Sequence, residues 1–302
     1  MILFRRQQVV NDCKQFEQAQ EFINQKKYFL AVKLLTDCYT RQRNFRTNYL
    51  LFQALTKNKQ YQAAWSLAQD YLPTYISDDD LLQELFVAMG HAGQYIAMHK
   101  LYRQLKPYMT PQEIELFLVI INDWENKADR QFIRKIMLET AGIELLTPIS
   151  QRSLLKKIYC LPLKYFLRIS QEVLPAAKVH PLIKNDLLDT LRQLKVKQSM
   201  EFLFIDGQNY RICPQQLADY RHSQIKQQLF QLLSDQTDQQ LISVQQAEIS
   251  LKLQLLYPFA EQLVKANQYW LTALLTGKTV GLTEKEGKLI VNLTQLLKQW
   301  ST

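Results

Sequence analysis

The sequence predicts an all-α protein: a stacked array of antiparallel helix pairs followed by a mainly helical carboxy-terminal region that carries one β-hairpin. Three observations lead there. Only 7 glycines and 9 prolines occur in 302 residues, about 5% against a usual share of roughly 12%, which excludes folds built on many tight turns. A motif recurs with steps of 33 and 34 residues. One aromatic, β-branched stretch surrounds a single Asp-Gly.

The recurring motif aligns Tyr28, Tyr61 and Tyr95. Three residues further on stand Ala31, Ala64 and Met98, and after those Leu35, Ala68 and Tyr102. Pro73 and Pro107 each follow their tyrosine by 12 residues. Upstream lie apolar pairs at helical spacing: Ala19 with Phe22, Phe52 with Leu55, Phe86 with Met89. Such a unit reads as two helices with a short turn before the tyrosine, which fills the gap between them. A small residue allows close approach, and proline ends the second helix. Each pair leaves apolar surface on both sides, so the pairs must stack.

A fourth unit from Thr110 to Gly142 keeps the helix-pair length without the tyrosine, and Thr110-Pro111-Gln112-Glu113 is a capping box. Helix continues over 149–198, with Ser150 or Ser153 as cap and breaks at Pro162, Pro175 and Pro181. Residues 201–212 read as a hairpin turning at Asp206-Gly207, with Leu203, Ile205, Tyr210 and Ile212 on one face. Alone that hairpin is marginal in water, so the face packs on helices. Beyond Pro214 the pattern gives helices over 215–234, 244–265 with a break near Pro258, 267–276 and 283–300, the last opened by a second capping box at Thr283 to Glu286. The organisation is therefore repeats over 1–146, a continuing helical array over 147–198, and a carboxy-terminal region over 199–302.

The pattern over residues 11–107 resembles the tetratricopeptide repeat (TPR). That implies a TPR-like α-α superhelix whose first helices line an inner, partner-binding face. The tryptophan usual early in the first helix is missing from all three units, and Met98 replaces the alanine of the third. The later order of Lys184 through Leu191, hairpin, Pro214 and Leu256-Tyr257-Pro258 is similar to TPR proteins of low-GC Gram-positive bacteria. This resemblance implies an intracellular protein without enzymatic activity.

In that frame the inner face carries Gln20, Arg46, Tyr49, Gln53, Lys57, Gln83, Val87 and His91. It is a hydrogen-bonding surface with cations at its centre, suited to an extended or acidic peptide. The Lys and Asn arrangement with which chaperone-binding relatives clamp a terminal carboxylate is absent. The second reading is nucleic-acid binding. The net charge is +9, all of the excess falls in the first 198 residues, and Arg41, Arg43, Arg46, Lys57 and Lys59 interleave with Phe45 and Tyr49 without an acid between Asp37 and Asp70.

Other chemistry finds little support. Glycine spacings fit no phosphate-binding loop, and His91, His99, His180 and His222 form no metal-ligand motif. Cys160 and His180 could form a thiol dyad only through the fold, and Asp78, Asp79 and Asp80 read as a helix start rather than a metal site. The expectation is a scaffold or adaptor with no cofactor, no metal and no catalytic residue. Cys13, Cys38, Cys160 and Cys213 are scattered, as in a reducing compartment. The longest apolar runs, such as Leu116 to Ile121, fall far below the ~18–20 residues of a membrane span. Apolar Met1 to Phe4 precedes Arg5 and Arg6, the reverse of a secretory signal, which predicts a cytoplasmic protein without membrane partners.

Overall fold

The computed structural model describes residues 14–235 and 239–301; Cys13 and the Met1 to Arg6 stretch lie outside them. The fold is an all-α helical-repeat array with one two-stranded antiparallel hairpin. Helix α1 spans residues 14–24 of the described chain. It is followed by α2 (Tyr28–Arg41), α3 (Phe45–Lys57), α4 (Tyr61–Ala68), α5 (Leu72–Ile76), α6 (Asp79–His91), α7 (Tyr95–Leu105), α8 (Pro111–Asn126) and α9 (Arg130–Ala141). Next come α10 (Pro148–Ile158), α11 (Leu163–Val173), α12 (Pro181–Gln193) and the strands β1 (Met200–Leu203) and β2 (Asn209–Ile212). The chain continues with α13 (Gln224–Ser234), α14 (Gln239–Leu255), α15 (Ala260–Leu263), α16 (Gln268–Thr276) and α17 (Glu284–Ser301). Two compact units result: the described residues up to Met98 with Thr110–Ala128, and His99–Met109 with the described residues from Asp129 onward.

In the first unit the repeat is visible in the backbone. Tyr28, Tyr61 and Tyr95 each open a helix, α2, α4 and α7. Two residues before each stands a left-handed residue: Lys26 (φ 59°), Lys59 (φ 60°) and Gly93 (φ 65°). The next amide in each case reaches back five residues, Lys27 N to Phe22 O, Gln60 N to Leu55 O and Gln94 N to Met89 O, at 2.8 to 2.9 Å. This is a Schellman ending repeated three times, and it reverses the chain within three residues. Ala31, Ala64 and Met98 are wholly buried, as are Leu35 and Ala68.

Burial of the tyrosines differs from the expectation. Tyr95 is buried, but Tyr28 and Tyr61 are only half-buried, although all three open their helices. The prolines also act differently. Pro73 sits at the start of α5 and Pro107 inside a 3-10 turn, Lys106–Tyr108. Proline thus starts a new turn, where its missing N–H costs nothing, and α4 has already ended at Ala68.

A buried polar chain ties the unit together. Tyr75 OH donates to Asn48 Oδ1 (3.0 Å), and Asn48 Nδ2 donates to Leu67 O (3.0 Å) and Tyr39 OH (3.1 Å). Tyr39 OH in turn donates to Asp70 Oδ2 (2.7 Å). Every member is satisfied, which is what makes polar burial tolerable here. Gly90 has a similar packing role: a Cβ there would lie 2.2 Å from the Trp124 ring of α8.

Caps follow local chemistry. Asn44 and Asp78 accept from Thr47 N (2.9 Å) and Leu81 N (3.0 Å), so the Asp78 cluster does start a helix. Both capping boxes form, at Thr110 with Glu113 and at Thr283 with Glu286. α10 is capped by Thr147, not by Ser150 or Ser153, because Pro148 takes the first helical position and Ser150 N donates to Thr147 Oγ1 (3.3 Å). Residues 214–222 form two 3-10 turns rather than helix, and α13 starts at the Ser223 cap.

In the second unit the hairpin pairs Met200 with Ile212 and Phe202 with Tyr210. The buried face is therefore Met200, Phe202, Phe204 and Ile212, with Tyr210 alongside, and not Leu203 with Ile205. Gly207 N donates to Phe204 O (3.1 Å) and Phe204 N to Gln208 O (3.0 Å), so Asp206-Gly207 are the last two residues of a four-residue turn. Gly207 does adopt positive φ, 81°. This longer loop shifts the alternation by one residue. Nearby, Tyr159 OH donates to Asp186 Oδ2 (2.6 Å), and Asp189 accepts from Arg192 Nε (2.7 Å) and Gln193 Nε2 (2.6 Å).

Candidate partner-binding site

Helix α3 presents Tyr49, Gln53 and Lys57 along one face, and α6 presents Asp80, Gln83, Glu84 and Val87 beside them. The space they line has a volume of about 520 Å³ and is floored by Phe52. Gln53 Nε2 donates to Tyr49 OH (2.8 Å), which donates to Glu84 Oε1 (3.2 Å). Burial, reinforced by the Glu84 carboxylate, pushes the Tyr49 hydroxyl up to about 12. It therefore stays a neutral donor, and the three side chains form a fixed relay across the groove. The Tyr49 ring is held from below by Phe45 (6.0 Å between centroids) and Tyr75 (6.3 Å), so its position is set by core packing.

Of the residues expected on this face, Tyr49, Gln53, Lys57, Gln83 and Val87 come together. Arg46 does not line the groove: its guanidinium lies over the Phe16 ring, 4.5 Å from the centroid. His91 is stacked on Tyr61 (4.3 Å) and meets the edge of Trp124 (4.7 Å). Gln20 is exposed on α1, away from the lining. Sequence reasoning missed Asp80 and Glu84, which give the groove two carboxylates against one ammonium. Their i, i+4 spacing, on the same face of α6 as Gln83 and Val87, is the signal that could have found them. The face is thus not a cationic one.

The interleaved aromatics of the nucleic-acid reading are spent in packing. Phe45 contacts Tyr49, Tyr71 and Tyr75, and Arg43 lies over the Tyr39 ring at 5.8 Å. A different basic surface emerges in the second unit, around a cleft of about 730 Å³. Arg103 and Lys106 at the end of α7 face Lys195 and Lys197 beyond α12, over a floor that includes Leu163 and Leu194. Among the described residues no carboxylate lines it. Lys195 is held there by another left-handed turn (φ 56°), closed by Val196 N to Leu191 O at 3.1 Å.

Cys160 and His180 are each engaged elsewhere. The thiol donates to Lys156 O (3.5 Å), while the His180 ring accepts from Leu182 N (3.2 Å) and bonds Leu296 O (3.1 Å). Among the described residues no group of three or more His, Cys, Asp or Glu could hold a metal ion, and no helix is long and apolar enough to cross a membrane. In comparison with known proteins, no family model, no curated protein and no solved structure matches this chain.

Proposed function

We propose that the chain is a TPR-like adaptor, without enzymatic activity, that holds an extended segment of a partner protein in the groove between α3 and α6. The observation that carries this reading is the Gln53–Tyr49–Glu84 relay, a row of fixed polar groups over an apolar floor. Groups held in this way lose little side-chain entropy when a backbone docks on them. With Asp80 and Glu84 beside Lys57, a uniformly acidic segment fits poorly. The groove favours one that brings a Lys or Arg to Glu84 and hydrogen-bonding backbone to Gln53 and Gln83. Among the described residues Cys38, Cys160 and Cys213 form no disulfide, in keeping with a cytoplasmic role.

The test is selection from a random peptide library displayed on phage, followed by fluorescence anisotropy of enriched peptides. Enriched sequences should carry a basic residue, and Glu84→Gln should weaken them about tenfold, the equivalent of one charge-assisted hydrogen bond. Peptides that bind wild type and Glu84→Gln alike would refute the site.

The cleft of Arg103, Lys106, Lys195 and Lys197 favours a second reading, contact with a nucleic-acid backbone. RNA retention by the purified chain would then fall with salt, by about 0.7 in log–log slope per phosphate contacted. The double change Arg103→Glu and Lys106→Glu would abolish it.

A further inference from the structure

Lys184 is a buried cation in the first turn of α12, only 3% exposed. Among the described residues its Nζ makes one hydrogen bond, to Leu203 O at 3.3 Å, and no ion pair. An ammonium has three donors, so two N–H groups are left over. Native proteins seldom leave such groups without a partner, and a buried charge is the most expensive kind to strand. Burial holds this ammonium down to about 8, with only the Glu144 carboxylate acting the other way. At neutral pH it still carries its charge.

The side chain lines a cleft of about 520 Å³ bounded by the start of α12, the hairpin turn and α17. The other polar walls are already committed. Gln151 Nε2 donates to Ile143 O, Leu146 O and Lys178 O, and its Oε1 accepts from His180 N (2.8 Å). Both ring nitrogens of His180 are used, and burial lowers its pKa, so it adds no charge. Asn292 Nδ2 donates to Ile205 O (3.2 Å). The exposed side chains of Lys178 and Gln299 also line the cleft, and the rest of the wall includes the apolar Leu146, Leu203, Phe204 and Leu296.

We infer that this cleft binds a small organic acid, whose carboxylate takes the two spare N–H groups of Lys184 and whose apolar body lies against Phe204 and Leu296. The buried charge of Lys184, with its two spare donors, matches a monoanion with two oxygens. A phosphate dianion would need several further buried donors, and beside Lys184 the walls offer only the exposed side chains of Lys178 and Gln299. The volume suits a small molecule and lies in the range of ligand pockets. This site is separate from the α3 and α6 groove and stands or falls without it.

The test is isothermal titration calorimetry of the full chain at pH 7 with acetate, butyrate, octanoate, benzoate and inorganic phosphate as probes. At least one of the larger carboxylates should bind with one-to-one stoichiometry. Lys184→Met should weaken it at least tenfold while circular dichroism shows the helices retained. Leu296→Trp, which fills the cleft from α17 and leaves α12 unchanged, should abolish the same heat. No saturable carboxylate binding into the millimolar range would overturn the inference, as would binding undiminished in both variants, or binding of phosphate alone.

Discussion

Ala64 shows how much a single side chain fixes in this fold. It is wholly buried at the point where α4 meets its neighbours, and the same position holds Ala31 in one repeat and Met98 in another. The size of that side chain sets the spacing of each pair, so Ala64→Leu should cost roughly 1 to 3 kcal/mol by overpacking, read from the urea midpoint at unchanged m-value. Ala31 and Ala64 were legible from the sequence because the 33-residue step repeats their type. The Lys184 site was not, because a lysine in a helical run reads as a solvated face until tertiary packing closes over it. Its titration has a definite sign. The folded pKa is depressed to about 8 from an ordinary ~10.4, so between these values the unfolded chain binds more protons, and the contribution of this residue to stability rises with pH. Urea unfolding at pH 7 and pH 10 should show a larger gain for wild type than for Lys184→Met; equal gains would count against a charged, buried Lys184.

At the scale of elements, the turns account for most agreements and most misreadings. The reversals before Tyr28, Tyr61 and Tyr95 share one backbone form, but only Gly93 announces it; Lys26 and Lys59 occupy the same left-handed region at a cost that glycine does not incur. Lys59→Gly should therefore stabilise the protein by about 0.5 to 1 kcal/mol, and Gly93→Lys should destabilise it by about as much; thermal melts that move together would contradict the equivalence of the turns. The Asp-Gly signal located the hairpin and the positive φ of Gly207, yet the inward face came out one residue off. Asp-Gly occurs both in two-residue turns and at the end of longer ones, and dipeptide chemistry does not separate them. Proline was misread in the same way, as a terminator after Ala68 and Leu105 when it opens the next turn.

At the scale of the whole molecule, the described chain falls into two compact units, each with its own polar interior and its own cleft. Charge was informative here only in sum. The excess of cations in the first 198 residues suggested a basic inner face around Arg46, but the α3 and α6 groove is carboxylate-rich. The basic cleft instead gathers Arg103 and Lys106 with Lys195 and Lys197, about 90 residues apart, a juxtaposition only the fold reveals. Helical periodicity placed five of the eight expected groove residues, since side chains at i, i+4 and i+8 share a face; it could not show that Arg46 turns to Phe16 or that His91 is stacked between rings. The central claim, that α3 and α6 form the partner-binding groove, is tested most directly by amide hydrogen exchange of the full chain with and without a peptide selected against it. Added protection should fall on α3 and α6 and vanish with Glu84→Gln. Protection confined to other helices, or unchanged by that substitution, would contradict it.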